Sequence, residues 1–132
     1  MPSSPVIPVL AYEDVGEAID WLCATFGFTE RWRAGSHRAQ LAVGDAALAL
    51  TEGAPPRRDE VGHSVMVRIE DVDRHFEHAQ ERGARILQPP NDFPYGERQY
   101  TVEDLGGHRW TFSQSIADVD PASWGATSIA LE

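Results

Sequence analysis

The side chains best suited to contact a ligand lie in one stretch, residues 95–114. Two runs with strand-like alternation flank Asp104-Leu105-Gly106-Gly107, and aspartate and glycine are typical of tight chain reversals. We therefore predict a β-hairpin with arms Glu97–Glu103 and His108–Ser113. Because successive side chains of a strand point to opposite faces, one face gathers aromatic groups and the other gathers polar groups. The aromatic face comprises His108, Trp110 and Phe112; the polar face comprises Gln99, Thr101, Glu103, Arg109, Thr111 and Ser113.

The fold must place the polar face of this hairpin somewhere, and the function depends on whether that face lines a cavity. The sequence shows no nucleophile–histidine–acid arrangement, no phosphate-binding loop and no cysteine or histidine cluster at zinc spacing. Cys23 has no basic neighbour at helical spacing, so we expect an inert thiol. The residue pattern favours binding and leaves catalysis open.

Three residues outside the polar face are candidates with an equally simple structural alternative. Tyr95, on the loop entering the hairpin, could stack on a flat ligand or only pin the loop to the surface. Arg98 could gate the site or form a surface pair with Glu97. Trp32 could form a cavity wall or belong to the core.

Gln40 and the histidines complete the candidates. Gln40 has the strand parity expected of the cavity side. His63, next to Gly62, either lines the cavity or is exposed at a strand start. We assign no role to His75 and His78, which are expected to be solvated on a helix, and we expect His108 to be structural.

Composition places the chain among single-domain globular proteins. It has 132 residues, a formal net charge of −10 and one cysteine. The charge argues against a nucleic-acid partner and is compatible with a cationic ligand, although solubility explains it equally well. One cysteine forms no intrachain disulfide, which predicts a reducing cytoplasm. No stretch approaches the ~20 apolar residues of a membrane span, and the N-terminus lacks secretory features.

The first half of the chain must supply the elements that complement the hairpin. Val6–Ala11 predicts a strand, which Pro8 confines to an edge or bend. Asp14 has the features of a helix N-cap and Gly27 those of a helix end. Three strands are then predicted, over Phe28–Arg33, Arg38–Val43 and Ala46–Thr51.

The second half repeats this order after a linker at 53–62. A strand at His63–Ile69 precedes a helix capped by Asp71, and a strand at Ala84–Leu87 precedes a proline-rich loop, Gln88–Pro94. The hairpin follows, and residues 115–132 form a tail. Glu13-Asp14-Val15 recurs as Glu70-Asp71-Val72, which indicates duplication. The predicted modules span about 5–52 and 63–114 of a single domain.

Several motifs of the chain resemble the vicinal-oxygen-chelate superfamily, also called the glyoxalase/bleomycin-resistance/dioxygenase superfamily. The similar features are the doubled module and four short motifs, and Leu105 is a departure because many relatives have proline there. The motifs are Glu13-Asp14-Val15, Phe26-Gly27-Phe28, Tyr95-Gly96-Glu97-Arg98, and the turn Asp104–His108 with Trp110 and Phe112.

This resemblance implies an α+β fold in which two βαβββ modules form a curled mixed sheet around a cavity, with the helices outside. It also implies a homodimer. Enzymes of the superfamily hold a divalent metal on four strands, at positions that correspond here to Ile7, Ala49, His63 and Thr111. Only His63 is a metal-ligand type, so no metal or other cofactor is expected.

Without a metal, the chain is most similar to the bleomycin-resistance branch, whose members sequester a drug between subunits. The implied function is metal-independent binding of a small molecule, such as an aromatic or cationic antibiotic. The alternative is a lyase, isomerase or dioxygenase of the superfamily acting on a small organic substrate. A third possibility is a binding module unrelated to drug resistance. The resemblance implies ligand contacts at Trp32, Gln40, His63, Tyr95, Arg98, Gln99, Thr101, Arg109 and Thr111.

Overall fold

The computed structural model describes residues 6–54 and 63–126, so most of the predicted linker and the end of the tail lie outside the described residues. The predicted order of strand, helix and three strands occurs twice. Residues 116–120 then lead from the last strand to a short 3₁₀-helix. The elements are β1 (Val9–Tyr12), α1 (Val15–Phe26), β2 (Thr29–Ala34), β3 (Arg38–Val43), β4 (Ala46–Glu52), β5 (Val65–Arg68), α2 (Val72–Glu81), β6 (Arg85–Phe93), β7 (Glu97–Glu103), β8 (Arg109–Ser115) and the 3₁₀-helix Pro121–Trp124.

Each module forms its own four-stranded mixed sheet. The strand orders are β1-β4-β3-β2 and β5-β8-β7-β6, so the two sheets are built in the same way. The first strand of each module runs parallel to the last, and the other pairs are antiparallel. The α+β fold of two βαβββ modules is confirmed. Pro8 lies just before β1, which is an edge strand of its sheet. This position suits a proline, because proline has no N–H to donate to a neighbouring strand.

The helix boundaries follow the predicted caps. The Asp14 carboxylate accepts a hydrogen bond from the Glu17 N–H at 3.0 Å, and the Asp71 carboxylate accepts one from the Arg74 N–H at 3.1 Å. Gly27 ends α1 with φ of 82°, a left-handed conformation that glycine adopts without a Cβ penalty.

The core lies between the two helices and one face of each sheet. Trp110, Phe112 and Tyr100 are fully buried there and contact the helix side chains. Phe26, at the end of α1, packs edge-on against Trp110 and Phe112 with ring centroids 5.6 and 4.9 Å apart. The predicted aromatic face of the hairpin is therefore core, and its polar face points away from the helices.

Strand β6 is longer than the sequence pattern indicated. We predicted a strand over Ala84–Leu87 and a loop over Gln88–Pro94, whereas β6 continues through Pro89-Pro90 to Phe93. β6 is the outer edge of its sheet, and its register with β7 shifts on both sides of Gln88. An edge strand with bulges accommodates prolines that cannot donate to the ladder.

Two histidines of α2 bind the end of α1, which corrects the expectation that they are simply solvated. His75 is half-buried; its Nε2–H donates to the Phe26 carbonyl at 3.0 Å, and its Nδ1 pairs with the Tyr100 hydroxyl. The exposed His78 donates to the Ala24 carbonyl at 2.8 Å. Because these carbonyls lie in the last turn of α1, they lack helical N–H partners, and the histidines satisfy them across the module boundary.

Candidate ligand-binding site

The polar face of the hairpin has the predicted register. Glu103 pairs with Arg109, Thr101 with Thr111, and Gln99 with Ser113. The Thr101 and Thr111 hydroxyls are 3.1 Å apart and share a hydrogen bond. The structure thus brings Gln99, Thr101, Arg109 and Thr111 onto one surface.

A continuous series of hydrogen bonds runs along this surface, and we call it the polar row: Tyr95, Gln99, Ser113, Glu97 and Arg68. The Tyr95 hydroxyl donates to Gln99 Oε1 at 3.1 Å, and Gln99 Nε2 donates to Ser113 Oγ at 3.0 Å. Glu97 then accepts from Ser113 Oγ at 2.8 Å and from Arg68 Nη2 at 2.7 Å. Gln99 and Ser113 are buried, whereas the Arg68 side chain is 65% exposed. The polar row therefore ends in a guanidinium that solvent can reach.

Aromatic rings cover the opposite end of the polar row. The Tyr95 ring stacks on Phe93, with centroids 5.3 Å apart, and Trp124 packs edge-on against Tyr95 at 5.5 Å. Trp124 belongs to the tail, whose start is anchored because the Ile116 N–H donates to the Gly96 carbonyl at 2.9 Å. A side chain at Gly96 would collide with the Ala117 carbonyl, so this crossing requires glycine. The tail thus packs against the loop before β7.

A groove of about 720 Å³ lies where the two modules meet, next to Arg68. Its walls are Val6 and Pro8, the β3–β4 turn, all four residues of β5, and Trp110. Val6 and Met66, which line the groove, are exposed, at 73% and 60%. The volume lies within the range of small-molecule sites, and exposed apolar side chains of this size mark binding surfaces.

The two ends of the module boundary differ in their side chains. At one end Tyr12 and Trp110 both bind Asp104, and His108 donates to the Ala11 carbonyl at 2.8 Å. The sequence repeat and the strand registers place Ile69 and Leu48 at the corresponding positions of the other end. Apolar residues there form no such lock, and the space stays open.

The remaining predicted site residues lie apart from the polar row. Trp32 is 40% exposed on β2, and His63 is exposed just before β5. Gln40 is 7% exposed on β3, and its Oε1 lacks a hydrogen-bond partner among the described residues. Arg109 Nε, on the hairpin, is likewise buried without a partner there. Two sites thus have unused hydrogen-bonding capacity.

Arg98 is directed to the helix side of its sheet rather than to the polar row. Its guanidinium binds Asp92 at 2.7 and 3.2 Å and Asp73 at 2.9 Å. The hydrogen bonds to Asp92 raise the pKa of Arg98 and lower the pKa of Asp92. In this structure Arg98 links β6, β7 and α2.

Of the four chelate positions implied by the resemblance, only His63 carries a side chain that could bind a metal. Ala49 and Thr111 offer no nitrogen or carboxylate, and their partners in register on the neighbouring strands are Val9 and Met66 rather than Ile7 and His63. Within 6–54 and 63–126, no three His, Cys, Asp or Glu residues lie close enough together to hold a metal. The donor set does not fit a divalent ion.

Sequence reasoning missed Arg68 and Asp104 as organising residues. Arg68 falls within the predicted strand His63–Ile69, where its charge was a usable signal. Asp104 was read only as a turn residue; its buried hydrogen bonds to Tyr12 and Trp110 had no local signal, because Tyr12 is 92 residues away.

The structure thus combines two βαβββ modules, a groove between them and a polar face on the second sheet. The family model for the Glyoxalase/Bleomycin resistance protein/Dioxygenase superfamily matches residues 6–112, and the chain belongs to this superfamily. None of the helices in the described ranges has the length and apolar character to span a membrane.

Comparisons with individual proteins agree with this family assignment. The structure of TioX from Micromonospora sp. ML1 superposes with a TM-score of 0.75 at 35% identity, covering 86% of this chain and 99% of that one. The fosfomycin resistance protein FosX from Listeria monocytogenes shares the fold, with a TM-score of 0.71, 17% identity and coverage of 86% and 94%. An uncharacterised protein of Mycobacterium tuberculosis is 25% identical over 86% of this chain and 75% of its own length.

Proposed function

We propose that the protein is a metal-independent small-molecule-binding protein that sequesters an aromatic or cationic compound, such as an antibiotic. The observation that carries this proposal is the apolar groove between the modules, in a chain whose four implied chelate positions offer only His63 as a metal ligand. A binding protein requires a shaped cavity with a few polar groups, and the chain provides both.

The groove matches such a ligand in shape and charge. Val6 and Met66 present apolar surface to an aromatic body, and Asp45 lines the groove at the β3–β4 turn. The net charge of −10 attracts a cation over long range. Arg68 stays bound to Glu97, so that a cationic ligand does not meet an isolated guanidinium.

The comparisons support a binding role without selecting the ligand. FosX, which is named for fosfomycin resistance, has been solved in complex with Mn(II) and a dihydroxypropylphosphonic acid, and it shares only the fold with this chain. The chelate positions here lack the donors that Mn(II) prefers, which favours sequestration over metal-assisted chemistry.

Metal content is the first test of this proposal. Protein purified without chelator should contain less than about 0.1 divalent ion per chain, because a site without most of its ligands does not retain a metal. Stoichiometric zinc, iron, nickel or manganese would overturn the proposal and favour the lyase, isomerase or dioxygenase alternative.

A thermal-shift screen against aromatic and cationic antibiotics is the second test, since a ligand of the folded state raises its stability. Met66→Ala should reduce the shift given by any hit, because it removes a groove wall. Leu87→Ala is the matched control: Leu87 is 39% exposed on β6, away from the groove, and its truncation should leave the shift unchanged.

A further inference from the structure

Gln40 lies in the middle of β3 with its amide oxygen unpaired within the described part of the chain. The registers place it between Trp32 on β2 and Ala49 on β4, and Ala49 is paired with Val9 on β1. Its neighbours along β3 are core residues, so alternation turns the Gln40 side chain to the face away from the helices. Gln40 is the one polar side chain in this row across the sheet.

Gln99 shows how a structural glutamine is accommodated in the same protein. It is as deeply buried as Gln40, at 8% against 7% exposed. Its Oε1 accepts from Tyr95 and its Nε2 donates to Ser113. A buried acceptor without a partner costs stability, and native proteins contain few of them. The contrast indicates that Gln40 is not there to support the fold.

We infer that Gln40 accepts a hydrogen bond from the ligand, and that the ligand is a planar aromatic compound with an amide or lactam N–H. This inference rests on the proposed function and narrows its ligand class. Trp32, Ala49 and Val9 give the row a flat apolar surface for a ring, and Gln40 Oε1 is an acceptor within it. A compound with a donor at the ring edge satisfies both features; one without it leaves the oxygen unpaired.

Trp32 is the aromatic residue paired in register with Gln40 on the neighbouring strand. Oε1 is shielded from solvent in the free protein. Trp32 is 40% exposed on the outer strand of its sheet, where the register between β2 and β3 is irregular between Glu30 and Trp32. The exposed part of the indole is a surface on which an aromatic ring of the ligand can stack.

Two matched probes test the inference: naphthalene-2-carboxamide, which has amide N–H groups, and its N,N-dimethyl derivative, which keeps the ring and carbonyl but has no donor. Calorimetric titration should show at least about tenfold tighter binding of the first compound, because only it pairs the buried oxygen. Equal affinities would overturn the inference. Failure of both compounds to bind would overturn the assigned ligand class. The proposed function has a separate test, because stoichiometric metal in the purified protein would overturn it.

The variant Gln40→Met separates a ligand contact from a structural role. It removes the unpaired oxygen at similar volume, so the free protein should melt at a higher temperature while the preference for the primary amide disappears. Gln88→Met makes the same change on the exposed surface of β6 and should alter neither property. A lower melting temperature for Gln40→Met, or a retained preference, would show that the oxygen serves the fold and would overturn the inference.

Discussion

The Tyr12 hydroxyl donates a hydrogen bond of 2.6 Å to Asp104 Oδ2, which joins the end of β1 to the turn between β7 and β8. Trp110 Nε1 donates to the same oxygen at 2.9 Å, and Oδ1 accepts from the Gly106 and His108 N–H groups. Burial and the neighbouring carboxylate raise the pKa of Tyr12, so that it remains a donor. One buried carboxylate therefore organises the turn and fastens the two modules.

Asp104→Ala should lower the free energy of unfolding by roughly 3 kcal/mol or more, because it leaves several buried donors without their charged acceptor. Tyr12→Phe removes one of those donors and should cost about 1.5 kcal/mol. Urea denaturation of the two variants measures both values. If Asp104→Ala costs no more than Tyr12→Phe, the carboxylate does not hold the boundary.

The two faces of β8 should respond differently to substitution. Trp110→Ala empties a fully buried site and should cost about 3–5 kcal/mol of stability. Thr111→Val replaces a half-buried hydroxyl on the polar face by a group of similar volume and should leave the melting temperature nearly unchanged. If Thr111 contacts a ligand, binding should weaken by roughly 1 kcal/mol. A stable Trp110→Ala variant beside an unfolded Thr111→Val variant would reverse the assignment of faces.

Stability should depend on pH through His75. Burial lowers its pKa below the ordinary value of 6.5, so the folded state favours the neutral ring. Its contribution is fully present above about pH 6.5 and is lost as the pH falls towards the folded pKa, because the unfolded chain binds the proton more readily. The difference in unfolding free energy between wild type and His75→Phe should therefore narrow between pH 7.5 and 5.5. If this difference in unfolding free energy instead widens as the pH falls from 7.5 to 5.5, the assigned role of His75 is wrong.

A homodimer is the fourth prediction. The edge strands β1 and β5 carry exposed Val9 and Met66, an apolar surface that a second copy would cover. Sedimentation at micromolar concentration should give a mass near twice 14.6 kDa. Met66→Glu should shift the population towards monomer, and a wild-type monomer throughout the concentration series would refute the dimer.

Much of the local structure was predictable from the sequence. Asp14 and Asp71 cap the helices as expected, and Gly27 ends α1, because capping depends on side chains within one turn. The hairpin register followed from the turn at Asp104 and from two-residue alternation. The proline-rich part of β6 was not predictable, because a strand edge tolerates prolines only where neighbours and bulges permit it.

The sequence by itself determined the repeated modules, the separation of an aromatic from a polar hairpin face, and the presence of a metal-ligand type at only one, His63, of the four positions taken from the resemblance. Each depends on residue type and short-range periodicity. The tertiary structure decided which polar groups meet: Asp104 binds Tyr12, Arg68 joins the polar row, Arg98 turns to Asp92 and Asp73, and Gln40 Oε1 has no partner among the described residues. These depend on contacts between segments distant in the chain, where packing geometry determines which polar groups find partners.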